Sequence, residues 1–120
     1  MKTENWLGNE IRFVEIDGEW WAVGNDVTRA LGYKDYKKIL SRLNDKYKGV
    51  DKLSTPGGVQ RVTIVNELGI YELIIRSNLS QAEEFKEFVY NVLKELRRQS
   101  GLQGFEVFRM LDKEHQEDWD

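Results

Sequence analysis

Positions 29 to 52 hold eight basic residues, Arg29, Lys34, Lys37, Lys38, Arg42, Lys46, Lys48 and Lys52, against Asp35, Asp45 and Asp51. The segment is net positive in a chain of 120 residues whose formal net charge is −3. Lys34, Lys37, Lys38, Arg42, Lys46 and Lys48 are the candidate DNA-binding residues. Ammonium and guanidinium groups gathered in one stretch can neutralise a phosphate backbone. The bland reading of the same residues is a solvated helix face. An acidic whole argues against indiscriminate nucleic-acid binding, while a local basic segment fits directed binding.

Residues suited to catalysis are sparse. His115 is the single histidine and lies in a charged tail with no nucleophile motif beside it; general-base work would require a pocket around it. The carboxylate pairs Glu83-Glu84 and Glu114/Glu117 fall on expected wet faces. There is no cysteine, one histidine and no Asp-x-Asp-x-Asp-Gly loop, so no metal set emerges. Gly57-Gly58 lacks the Gly-Lys-Ser/Thr of a phosphate loop. The chain is therefore expected not to be an enzyme and to carry no cofactor.

The elements that must position the basic residues follow from periodicity. Ile11 to Ile16 alternates, Asp17-Gly18 is a hairpin turn, and Trp20 to Val23 is the return strand. Trp20 and Trp21 must point to opposite faces, one of them inward. Val27, Ala30 and Leu31 form the inner stripe of a short helix, capped by Asn25 or Asp26 and closed by Gly32. Asp35 is the N-cap of a second helix, in which Tyr36, Ile39, Leu40, Leu43 and Tyr47 recur on one face. Lys37, Lys38 and Arg42 lie away from that face. The two helices, joined by Gly32-Tyr33-Lys34, have the outline of a helix-turn-helix.

Lys46 to Ser54 reads as a polar loop, with Lys52-Leu53-Ser54 able to pair across the Thr55-Pro56-Gly57-Gly58 turn. Val62 to Val65 is a strand that runs directly into a helix at the N-cap Asn66. Leu68, Tyr71 and Ile75, widened by Leu73 and Ile74, predict a helix so apolar that this junction is the centre around which the rest packs. Ser80 and Glu83 form a capping box. The helix behind it carries Ala82, Phe85, Val89, Val92, Leu93 and Leu96 inward, with Phe88 beside them, and ends at Gly101.

Length allows one domain with a real core. No apolar run reaches the roughly 20 residues of a membrane span, and Met1 to Trp6 lacks the apolar core of a signal peptide. The absence of cysteine fits a reducing cytoplasm. The expected architecture is α+β, with small antiparallel hairpins packed against about four helices. The domain is expected over residues 1–103, followed by a tail, 104–120. Phe105, Val107, Phe108, Met110 and Leu111 would lay that tail on the body or on a second copy, giving a possible homo-oligomer.

Several of these residues are similar to a known family. Ile11-Arg12, Ile16-Asp17-Gly18-Glu19, Asn25-Asp26-Val27 and Ala30-Leu31-Gly32-Tyr33 resemble the opening of the Bro-N domain. That is the amino-terminal domain of Bro proteins and many phage antirepressors. Thr55-Pro56-Gly57-Gly58 resembles its glycine turn, and Asn66 to Ser77 its most specific motif. Ala82, Phe85, Lys86, Val92-Leu93, Arg97-Arg98 and Gly101 follow its closing helix. Phe88 stands where the family usually has Trp, and Leu93-Lys94 where it usually has Leu-Pro, so the break in the last helix should be weak or absent. The resemblance implies a DNA-binding α+β domain of prophage or viral transcription regulators, without catalysis. Its implied partners are double-stranded DNA, or alternatively a phage repressor bound as protein.

Overall fold

The computed structural model describes residues 1–100, and within them five strands form one antiparallel sheet beside four α-helices. Strands β1 (Lys2–Trp6), β2 (Asn9–Ile16) and β3 (Glu19–Val23) form a meander. Helices α1 (Gly24–Ala30) and α2 (Tyr36–Arg42) follow, then a 3₁₀ turn at Asp45–Tyr47. The hairpin β4 (Lys48–Thr55) and β5 (Gly58–Val65) leads into α3 (Glu67–Ile75) and α4 (Ala82–Ser100). The sheet order is β1-β2-β3-β5-β4, so β4 is an edge. The α+β expectation holds.

Alternation along the strands divides the sheet into two faces. Ile11, Phe13, Trp20, Ala22 and Val65 point to the helices and join Val27, Leu31, Leu40, Ile70, Leu73, Phe85, Val89 and Leu93 in the main core. The other face carries a smaller cluster, Val14, Val23, Leu53 and Ile64, flanked by Ile16, Trp21 and Val62, built from strand residues alone. Trp20 is the buried member of the tryptophan pair, and its indole N–H donates to Ser100 Oγ at 2.8 Å. Trp6 sets its ring edge-on to Phe85, centroids 4.8 Å apart, which anchors β1 to α4.

Several expectations need correcting. β1 was not foreseen. Its turn uses Leu7 at φ 51° before Gly8 at φ 85°, and leucine gives no signal for a left-handed position. The foreseen turn, Asp17 (φ 51°) and Gly18 (φ 80°), has the same geometry with ordinary turn residues. Lys46 to Ser54 is no loop; most of it is β4, polar because it forms the sheet edge. Helix α2 stops at Arg42, and Leu43 is extended with ψ 142°. Tyr47 lies in the 3₁₀ turn, where the Asn44 side chain accepts from the Lys46 amide and starts a new element.

Neither Asn25 nor Asp26 caps α1; Val23 holds the N-cap position with no side-chain bond. Gly32 does close α1, at φ 82°, with the Tyr33 amide donating to the Thr28 carbonyl. The capping box before α4 is replaced by main-chain bonds, Ala82 N–H to Leu79 O and Phe85 N–H to Gln81 O, while Glu83 pairs with Lys86 at 3.0 Å. Helix α4 runs unbroken past Lys94. The tail boundary, its packing and Gly101 lie outside the described residues.

The strand-to-helix junction is central, with one revision. Asn66 caps α3 by accepting from the Gly69 amide at 2.9 Å, and its own amide donates to Tyr47 O. Gly69 sits so close to that turn that a Cβ there would meet Tyr47 O at 2.9 Å. The inward face is Ile70, Leu73 and Ile74, whereas Leu68 (60% exposed) and Ile75 (76% exposed) face out. A helix apolar nearly all round does not reveal its own inner side; the glycine that admits a neighbour's backbone decides it.

Candidate nucleic-acid interface

The first helical pair is held by a buried carboxylate. The β2–β3 ladder ends at Phe13 opposite Ala22, because β3 then turns into α1. Asp26, on the first turn of α1, takes the place of the missing strand. It accepts the Arg12 amide at 3.0 Å and the Arg12 guanidinium through Nε at 2.8 Å and Nη2 at 2.9 Å. Arg29 approaches the same carboxylate at 3.4 Å. The hydrogen bonds to Asp26 raise the Arg12 pKa further against the opposing effect of burial, so its charge is permanent.

Behind α1, the turn to α2 is tied down by Tyr33, whose hydroxyl donates to Leu73 O at 2.7 Å. Burial of that phenol raises its pKa. Gly24 lets α1 approach closely: a Cβ there would lie 3.0 Å from Leu40 Cδ1 and 3.2 Å from Thr63 O. The start of α1 is thereby fixed against both α2 and β5.

Between α2 and the β4–β5 hairpin lies a cleft of about 660 Å³. Tyr36, Lys37, Leu40 and Ser41 form the helical wall; Gly49, Val50, Arg61, Val62 and Thr63 form the hairpin wall; Asp45 and Lys48 join them. Of the six residues singled out by sequence, Lys37 and Lys48 line this cleft. Lys34, Lys38 and Arg42 are exposed on α2 or its approach.

Lys48 has structural work there. Its ammonium donates to Leu40 O at 2.9 Å and Ser41 O at 3.2 Å, closing the C-terminal end of α2, and faces Asp45 at 3.6 Å. Lys46 lies over the Tyr47 ring, 5.3 Å from its centroid. Lys34, Lys37, Lys38 and Arg42 form no ion pair among the described residues. Of the six, Lys48 is engaged by main-chain carbonyls, while Lys34, Lys37, Lys38, Arg42 and Lys46 are exposed.

Sequence reasoning missed Arg61. It stands outside the basic segment, across the Pro56-Gly57 turn, and pairing within the hairpin brings it to the cleft. The signal was present: counting back from Pro56-Gly57 sets Lys52 opposite Arg61, as the ladder has it. The pair Arg97-Arg98 is not free, since Arg97 pairs with Glu67 and Arg98 with Glu95. Among the described residues no group of three or more His, Cys, Asp or Glu could hold a metal, and no helix is long and apolar enough to cross a membrane.

A second cavity, of about 540 Å³, lies outside α3 and α4, lined by Tyr71, Lys86, Glu87, Tyr90 and Asn91. Tyr71 donates to Glu67 Oε2 at 2.8 Å, and burial together with that bond pushes its pKa up to about 12.

Comparison with known proteins agrees with this organisation. The family model described as the BRO family, N-terminal domain, matches residues 10–95. An uncharacterized protein of Haemophilus influenzae is 39% identical over 84 residues, which cover 68% of this chain and 41% of that protein. The chain therefore spans about two fifths of that relative's length. No solved structure matches. The match runs from the start of β2 to within α4, and so takes in Asp26, α2, the hairpin and the Asn66 junction: the chain belongs to the BRO family and carries its N-terminal domain.

Proposed function

We propose that this chain is a prophage or viral transcriptional regulator of the antirepressor type, which acts in the cytoplasm by binding double-stranded DNA and catalyses nothing. The observation that carries this reading is the set Lys34, Lys37, Lys38 and Arg42. These four cations sit on or beside one short helix, exposed and without ion pairs among the described residues. Lys46 and Lys48 sit beside them, and Lys48 contributes by holding the end of α2. Family membership supports regulation by binding rather than chemistry. The test is a mobility shift on duplex DNA with the parent and with K38A/R42A. Weaker binding by the variant supports the reading, and equal binding by the two refutes the residue assignment.

A second reading has its own observation. Leu68, Ile75 and Tyr90 are large apolar side chains left exposed on α3 and α4. Such a surface suits a protein partner, and in this reading the partner is a phage repressor, engaged without DNA contact. Capture of a purified repressor by the domain, with no shift of duplex DNA, distinguishes it from the first.

A further inference from the structure

The β4–β5 hairpin contains an arrangement that its own stability disfavours. Lys52 and Arg61 are directly opposite in the ladder, so their side chains leave the same face. Like charges so placed destabilise a strand pair. Both residues are exposed, and neither forms an ion pair among the described residues. Asp51, the adjacent acid, stands opposite Val62 on the other face. A lysine on an edge strand is an ordinary block to edge-to-edge pairing. That role does not call for two cations facing each other across the pair, where they repel.

The direction of this face matters. Lys52 and Arg61 share it with Val65, which belongs to the core under the helices. The outer half of the hairpin therefore turns the same side as α2, and Arg61 lines the cleft that Lys37 lines from across it. Val50 and Val59 are exposed on the same hairpin face. The cleft has one lining carboxylate, Asp45, and it faces Lys48. Lys52 lies outside the cleft lining and extends the positive surface beyond it, along the hairpin, which a small anion held inside would not use.

We infer that the β4–β5 hairpin is a second DNA-contact element: Lys52 and Arg61 hold the phosphate backbone of the duplex that α2 engages, with one sugar–phosphate strand entering the cleft between them. A two-stranded ribbon has the dimensions to follow a DNA groove. Opposed cations that repel in the free protein are neutralised together when phosphate lies along them. This inference rests on the DNA-binding reading above.

The experiment is fluorescence anisotropy of a labelled 20-base-pair duplex, titrated at several NaCl concentrations with the parent, K52T/R61T and K38A/R42A. Each phosphate contact contributes about −0.9 to the slope of log K against log salt. The inference expects K52T/R61T to bind more weakly, with a slope shallower by roughly 1.8, and to melt no lower than the parent. K52T alone, at the exposed edge, should flatten the slope by about half as much and guards against a folding defect in the double variant. Unchanged affinity and slope in K52T/R61T, with K38A/R42A still impaired, overturns the hairpin contact and leaves the DNA reading standing. No salt-dependent binding by the parent overturns both. Binding of inorganic phosphate in the cleft, without any binding of duplex, also overturns it.

Discussion

At the scale of single residues, Asp26 has the largest structural task. It accepts from one main-chain amide and three guanidinium nitrogens, two of Arg12 and one of Arg29, and it is itself 2% exposed. Asp26→Ala would leave the Arg12 amide and side chain without partners. The cost of breaking a buried pair falls near its lower end, about 3 kcal/mol, because Arg12 keeps some water contact; urea denaturation measures it. Leu7 offers the opposite case. It is an exposed leucine in left-handed backbone before Gly8, and Leu7→Asn should raise the melting temperature by a few degrees, roughly 0.5–1 kcal/mol of relieved strain. Tyr71 supplies a pH dependence. Its folded pKa of about 12 exceeds the ordinary value of 10, so between those values the folded state holds a proton that the unfolded state releases. The stability linked to Tyr71 is therefore complete below pH 10 and is lost as pH rises toward 12. Absorbance at 295 nm should show one of the five tyrosines ionising near pH 12; in Glu67→Gln that step should move downward.

At the scale of elements, the molecule is set by where backbones approach. Gly69 brings α3 against the Tyr47 carbonyl, and the Asn66 amide closes on the same oxygen. Gly69→Ala should push α3 away from the 3₁₀ turn and cost roughly 1–3 kcal/mol, read by thermal melting, with the Tyr33 hydroxyl bond to Leu73 O loosened alongside. Much of this level was legible. Asp17-Gly18, Gly32, Asp35 and Asn66 are residues whose chemistry permits few alternatives, and each stands where its type indicated. The misses share a cause: the deciding interaction lies elsewhere in the chain. Polar β4 reads as loop until β5 provides its ladder. Asp26 reads as a cap until Arg12 claims it. Leu68 and Ile75 read as core until Gly69 fixes the orientation of α3. Arg61 joins the candidate site only through hairpin register.

At the scale of the whole molecule, charge is arranged by segment. Residues 29–52 are net positive between two net negative flanks, and the fold places that segment as α2, the 3₁₀ turn and the start of the edge hairpin. The six basic residues stand close together in the sequence, and two of them, Lys37 and Lys48, line one cleft. That Lys48 is taken up by the carbonyls that end α2 was not legible in the sequence. Under the proposed function, the acidic net charge of the chain works against non-specific binding to nucleic acid. The direct test is the salt dependence of duplex binding by the parent chain. Four to six phosphate contacts predict a straight line of log K against log salt with a slope between about −3.6 and −5.4; a flat line, or no binding at low salt, would contradict the account.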